Sequence, residues 1–129
     1  MGAASLRVAA AAAPRQGVID EEHLGQMTFG DRRLEREVLE IFRRQAAIML
    51  GRIGGSEPAA ASMAVHTLKG SARGIGAWRV ARAAERLEQA RADAERSAAL
   101  GELTAATLEA RAAIDARLED YSNHGADGR

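Results

Sequence analysis

Apolar positions along this chain recur at spacings of three and four residues, the period of a helix buried on one face. Asp20 is placed to cap a short helix through Met27, whose apolar members are Leu24 and Met27. Gly30 and Asp31 open a long helix to about Ile53, with Leu34, Val38, Ile41, Phe42, Ile48, Met49 and Ile53 along one side. Gly54 and Gly55 end it. Ser56, Glu57 and Pro58 then read as a helix start: a hydroxyl cap, an acidic residue and a proline in the first turn. That helix is predicted to run to about Ala72. Gly74, Ile75 and Gly76 break the chain, and another helix spans roughly Ala77 to Ala94. The last is predicted from near Leu100 to Tyr121, with Leu103, Thr107, Ala110, Ile114, Leu118 and Tyr121 facing inward. Short glycine- or serine-containing turns favour antiparallel neighbours, so the expected fold is all-α. It is an antiparallel up-down four-helix bundle with a short additional N-terminal helix.

The flanks lack this pattern. Residues 1–17 read as a disordered leader, residues 18–122 as the domain and residues 123–129 as a disordered tail. Arg7, Val8 and the following alanines faintly imitate a secretory signal, but the stretch is short and has no leucine or isoleucine. No run reaches the roughly 18–20 apolar residues needed to span a membrane, so a cytoplasmic protein without membrane contact is expected.

Composition sharpens the helical reading. Of the 60 apolar residues in the 129-residue chain, 30 are alanine and only four are Phe, Trp or Tyr, so strand formers are scarce. The absence of cysteine excludes disulfides, thiolate metal sites and a cysteine nucleophile. Basic and acidic side chains balance at 18 each, but unevenly: residues 66–96 carry 7 basic and 4 acidic groups, residues 97–129 carry 3 and 6. That excess is too small for a nucleic-acid footprint, and no aromatic residues interleave with it for base stacking. It suits an acidic protein surface instead. Of the 18 basic residues 17 are arginine, and the single lysine is Lys69.

The candidate chemistry lies in the segment from Val65 to Ala72. At about 100° per residue, Ala61, Val65, Leu68 and Ala72 form one apolar stripe, while Ser62, His66, Lys69 and Arg73 form a second, away from it. His66 therefore points outward rather than into the core. Lys69 and Gly70 lie three and four residues later, the spacings that place side chains beside it. Lysine there supplies positive charge to any group attached to the imidazole. Glycine there costs about 1 kcal/mol relative to alanine in a helix interior and clears the approach for a bulky partner. An outward histidine, a neighbouring lysine and an open approach suggest a phosphoryl acceptor. His23 and His124, in the short helix and the tail, are given no role.

The segment His66-Thr67-Leu68-Lys69-Gly70-Ser71-Ala72, continuing to Gly76 and Ala77, resembles the signature of histidine-containing phosphotransfer (HPt) domains. Ala84-Glu85-Arg86-Leu87-Glu88 is similar to the segment these domains carry on the following helix, and Phe42 sits where they often place a core phenylalanine. The resemblance covers about residues 18–122. It implies a phosphotransfer intermediate in a His–Asp phosphorelay. His66 would accept a phosphoryl group from the aspartyl phosphate of one response-regulator receiver domain and pass it to another. It further implies a hybrid histidine kinase upstream, no kinase activity in this chain, no cofactor bound by it, and Mg²⁺ supplied by the receiver. Glu88 would hold the proton of the non-reacting imidazole nitrogen, with Glu85 the alternative. Lys69 would steady the phosphoryl oxygens, Gly70 would admit the receiver, and Arg73, Arg82 and neighbouring arginines would bias the docking surface towards acidic partners.

Other readings fit less well. Gly70 to Gly76 lacks the order of a phosphate-binding P-loop and follows no strand, and Ser71 lacks a nucleophile-elbow context. A sensor-kinase dimerisation helix and the phosphoacceptor domain of a chemotaxis kinase would both be attached to kinase domains that these 129 residues lack. A non-phosphorylated helical adaptor that binds a kinase or receiver is the remaining alternative. Four helices with one apolar stripe each close a core without a partner, so a monomer is expected.

Overall fold

The computed structural model of the chain describes residues 18–55 and 57–127, the side chains of the last four excepted. Five helices follow one another: α1 (Glu21–Met27), α2 (Arg32–Ile53), α3 (Pro58–Ile75), α4 (Trp78–Gln89) and α5 (Asp93–Asp127). Among the described residues there is no strand. Asp20 and Asp31 start α1 and α2 as read from the sequence, their carboxylates accepting the backbone N–H of His23 and of Arg33 and Leu34. At α3 the proline takes the first turn, but Glu57 occupies the cap position without a side-chain hydrogen bond. Ser56, the expected hydroxyl cap, lies outside the described residues.

Four boundaries differ from expectation. Helix α3 does not stop at Ala72 but runs through Gly74 to Ile75, because Ile75 belongs to the core. It ends where Gly76 turns left-handed at φ +80°. A Cβ at Gly76 would lie 2.9 Å from that of Asp20, whose N–H donates to the Gly76 carbonyl at 2.9 Å. Gly76 is therefore demanded both by its backbone angle and by the close approach of the N-terminal segment. Helix α4 ends at Gln89 rather than Ala94, and Ala90 is extended. Helix α5 begins at Asp93 rather than near Leu100, since the Glu95 carboxylate accepts the N–H groups of Arg91 (2.8 Å) and Ala92 (3.1 Å). Residues 91–98 are all exposed, so no apolar position marked that start. At its other end α5 continues past Tyr121 to Asp127, taking in positions that the sequence assigned to a tail. The leader expected at residues 1–17 lies outside the described residues.

Helices α2, α3, α4 and α5 pack each on the next, α5 closes back on α2, and α1 packs on α3. Cross-helix pairs fix the sense: Arg79 meets Glu109 and Arg86 meets Glu102, so advancing along α4 means retreating along α5. The core is the central stripe of each helix, with Leu24, Leu39, Leu68, Val80, Leu103 and Ile114 fully enclosed. On α2 the buried stripe is Leu39, Phe42, Ala46, Met49 and Ile53. Ile41 and Ile48, expected inside, are 49% and 46% exposed, and Met27 is exposed too. Small Ala46 lies where the helix approaches its neighbours, while the larger isoleucines fall on the flank. Among the described residues no helix is long and apolar enough to cross a membrane.

Candidate functional site

The segment that carries His66 is the middle of α3, whose inner face (Ala64, Val65, Leu68, Ala72 and Ile75) is buried against its neighbours. That burial fixes the rotation of the helix and so decides which residues face out. The His66 side chain is 74% exposed. Lys69, one turn on, leans towards α4, and its side chain is only 16% exposed. The antiparallel packing of α3 on α4 brings Glu88 opposite both. Lys69 Nζ donates to Glu88 Oε1 at 2.7 Å, and His66 Nδ1 lies 3.5 Å from Glu88 Oε2. The three residues singled out on two separate helices thus form one cluster. With Nδ1 turned to the carboxylate and the side chain largely exposed, Nε2 is the ring nitrogen left without a partner among the described residues.

The electrostatics follow from that geometry. The hydrogen bond from Lys69 holds the Glu88 carboxyl below its ordinary range against the opposing effect of partial burial, with smaller help from the Lys69 charge and from His66. Glu88 is therefore ionised at neutral pH and can only accept hydrogen bonds. An accepting carboxylate at Nδ1 favours the imidazole tautomer that keeps its proton there, leaving the Nε2 lone pair free. What the arrangement offers chemically is a nucleophilic nitrogen on an exposed side chain with a cation one helical turn away.

The surrounding residues divide. Gly70 is exposed, and a Cβ built on it meets nothing within 4 Å. Gly25, Gly51, Gly74 and Gly101, also helical, are equally unobstructed, so a helical glycine is not in itself unusual here. What sets Gly70 apart is its place one turn from His66. Arg73 stays on the α3–α4 side, 3.7 Å from Glu85, so Glu85 is engaged there and not at His66. Arg82 is not brought to the site. It lines the opposite groove of α4 with Arg79 and Arg86, facing Glu102, Ala105 and Ala106 of α5. The helical period places it about 120° around α4 from Glu88, on the side that faces α5, which the arginine count alone did not resolve.

His23, given no role from the sequence, has a structural one. Its Nε2–H donates to the Arg73 carbonyl at 2.8 Å, and its ring lies 4.8 Å from that of Trp78. Trp78 Nε1–H in turn donates to Asp20 Oδ2 at 2.8 Å. This latch pins the N-terminal segment over the α3–α4 turn. No sequence signal announces it, because its members lie far apart along the chain. Among the described residues no group of three or more His, Asp or Glu is placed to hold a metal ion.

Comparison with known proteins bears on the family and the fold. The family model described as Hpt domain matches residues 37–123. The chain is similar to the crystal structure of histidine phosphotransferase ShpA from Caulobacter crescentus, with 31% sequence identity and a TM-score of 0.72 over 84% of this chain and 98% of that one. No curated protein gives a significant match.

Proposed function

The chain belongs to the Hpt domain family, whose members act in phosphorelay phosphotransfer, and from that membership we propose that His66 carries phosphoryl groups between receiver domains. The observation that supports this reading best is the solvent-facing His66 with Nδ1 turned to Glu88 and Lys69 alongside. The Nε2 lone pair attacks the phosphorus of a receiver's aspartyl phosphate. An N–P bond forms, the P–O bond to the aspartate breaks, and that carboxylate leaves with its electron pair. The product is an imidazolium that keeps its proton on Nδ1, where the Glu88 carboxylate stabilises the positive charge. Transfer to a second receiver is the reverse process on a different aspartate. Lys69 places positive charge beside the phosphoryl oxygens, Gly70 leaves room for the receiver, and Arg73 adds to the positive bias of that face. Mg²⁺ is the receiver's contribution, and a hybrid histidine kinase is the upstream source of phosphate. The protein acts as a cytoplasmic monomer.

The test mixes the purified protein with a phosphorylated receiver domain and Mg²⁺ and follows intact mass. An acid-labile gain of one phosphoryl group is expected, and His66→Gln abolishes it while leaving the helical circular dichroism unchanged. Stable binding of receiver with no such gain would point to the adaptor reading.

A further inference from the structure

A groove of about 500 Å³ opens beside the phosphoacceptor, towards the end of the bundle where α2 passes into α3 and α4 into α5. Its apolar lining comes from Ile53, Val65 and Leu87, all core residues, with Ala61 forming one wall. Three polar residues complete it: Ser62, one turn before His66; Glu88, which touches His66; and Arg96 in the first turns of α5. The groove is thus continuous with the surface from which His66 projects. A receiver seated on His66 therefore lies beside residues that line the groove.

The charges in the groove are unequal in their commitments. Glu88 is engaged by Lys69 and His66. Arg96 is exposed and forms no ion pair among the described residues, and the nearby Glu95 is occupied by the backbone of Arg91 and Ala92. An apolar floor with one uncommitted cation at its edge complements an apolar side chain carried next to a carboxylate. Arg82, by contrast, lies on the far side of α4.

We propose that this groove is a specificity subsite for the receiver domain: it takes an apolar side chain of the receiver while Arg96 pairs with an adjacent carboxylate. The inference rests on His66 being the acceptor for receivers. Receivers that present such a pair beside their aspartyl phosphate transfer efficiently, and those with a basic residue there are disfavoured by Arg96.

The experiment separates docking from the chemistry at His66. Phosphoramidate, a small P–N donor, labels an accessible histidine without any docking surface, whereas a phosphorylated receiver domain needs one. Ala61→Phe fills the groove. Arg96→Glu reverses its charge, and it does so in the first turns of a helix, where an acidic residue is well tolerated. Each variant is expected to raise the receiver concentration for half-maximal transfer by about ten-fold, with phosphoramidate labelling unchanged and with Arg96→Lys close to the parent protein. An unchanged half-maximal concentration in Arg96→Glu, whose fold is checked by urea unfolding, overturns the proposal even if Ala61→Phe is misfolded. Equal loss of receiver and phosphoramidate labelling also overturns it, because the groove would then serve His66 itself. A parent protein that neither donor labels removes the underlying assignment of His66 instead.

Discussion

One carboxylate serves two neighbours at the site: Glu88 gives Oε1 to Lys69 and Oε2 to His66. The two contacts have different consequences for transfer. Lys69 must be free to meet phosphoryl oxygens, and in the resting protein it is held at 2.7 Å by Glu88. His66 needs the same carboxylate to keep the proton on Nδ1. Removing Lys69 should therefore slow the chemical step while sparing receiver affinity: Lys69→Ala is expected to lower the single-turnover rate by roughly 10–100-fold, with the dissociation constant for the receiver little changed. Glu88→Gln keeps an accepting oxygen but loses the charge that stabilises the imidazolium, so a smaller loss, about ten-fold, is expected in the same rapid-quench assay. Equal rates for parent and Lys69→Ala would remove the proposed role of the lysine. At Gly70 stability and function should separate. A methyl group meets nothing there, so Gly70→Ala is expected to raise stability by about 0.5–1 kcal/mol in urea unfolding, whereas Gly70→Phe should weaken receiver binding. At this scale His66, Lys69 and Gly70 were legible because they share one helix and its period settles their relation. The sharing of Glu88 by Lys69 and His66 was not, because it depends on how α4 sits against α3.

Individual helices were legible wherever large apolar residues marked their buried face. The starts of α1 and α2 follow from Asp20 and Asp31, and the Gly54–Gly55 ending from the glycines themselves. The rotation of α2 differs from the sequence expectation because two isoleucines, Ile41 and Ile48, flank the true stripe, and Ala46, which is wholly buried, carries no hydrophobic emphasis in a sequence rich in alanine. The first two turns of α5 were missed for the complementary reason: they bury nothing until Ala99 and are held by the Glu95 carboxylate. An inward position on the same helix was read correctly but carries an unexpected polar burden. Thr107 is fully buried, and its Oγ1 has no hydrogen-bond partner among the described residues. A hydroxyl stripped of water without a partner is unfavourable, and valine has nearly the same shape. Thr107→Val is therefore expected to stabilise the bundle by about 1 kcal/mol, read as a higher urea midpoint with an unchanged slope. A lower midpoint would mean that the hydroxyl is satisfied in solution.

Three polar clusters tie the helices into one unit at places the apolar core does not reach. Arg117 on α5 donates to Glu35 on α2 at 2.7 Å and to the Tyr121 hydroxyl at 2.9 Å, and it also pairs with Glu21 on α1. Burial opposes its charge, yet these partners outweigh that effect and raise its pKa further, so Arg117 itself stays charged at any ordinary pH. In the other ties the carboxyls are shifted. The Asp20 carboxyl is held below its ordinary range, first by the Trp78 indole N–H and then by the His23 backbone N–H, and Glu88 is held down first by Lys69. Unfolding releases both carboxyls to their ordinary values, so through that range the unfolded chain binds more protons than the folded one. The stability these groups contribute is complete above their unfolded values and is lost as pH falls through the folded ones. Urea midpoints should therefore be nearly level from pH 7 to about 5.5 and decline below about pH 4.5. Other carboxylates contribute to any such decline, so the informative quantity is the difference between variants. Asp20→Asn can still accept the indole N–H through its amide oxygen, but it cannot titrate. It is expected to lower stability at pH 7 and to leave a shallower acid decline than the parent, with the two curves converging as the parent's Asp20 carboxyl becomes protonated. If the curves ran parallel throughout the acid decline, the latch would owe nothing to the charge of Asp20, and its hold on the α3–α4 turn would rest on the indole, His23 and Gly76 contacts alone.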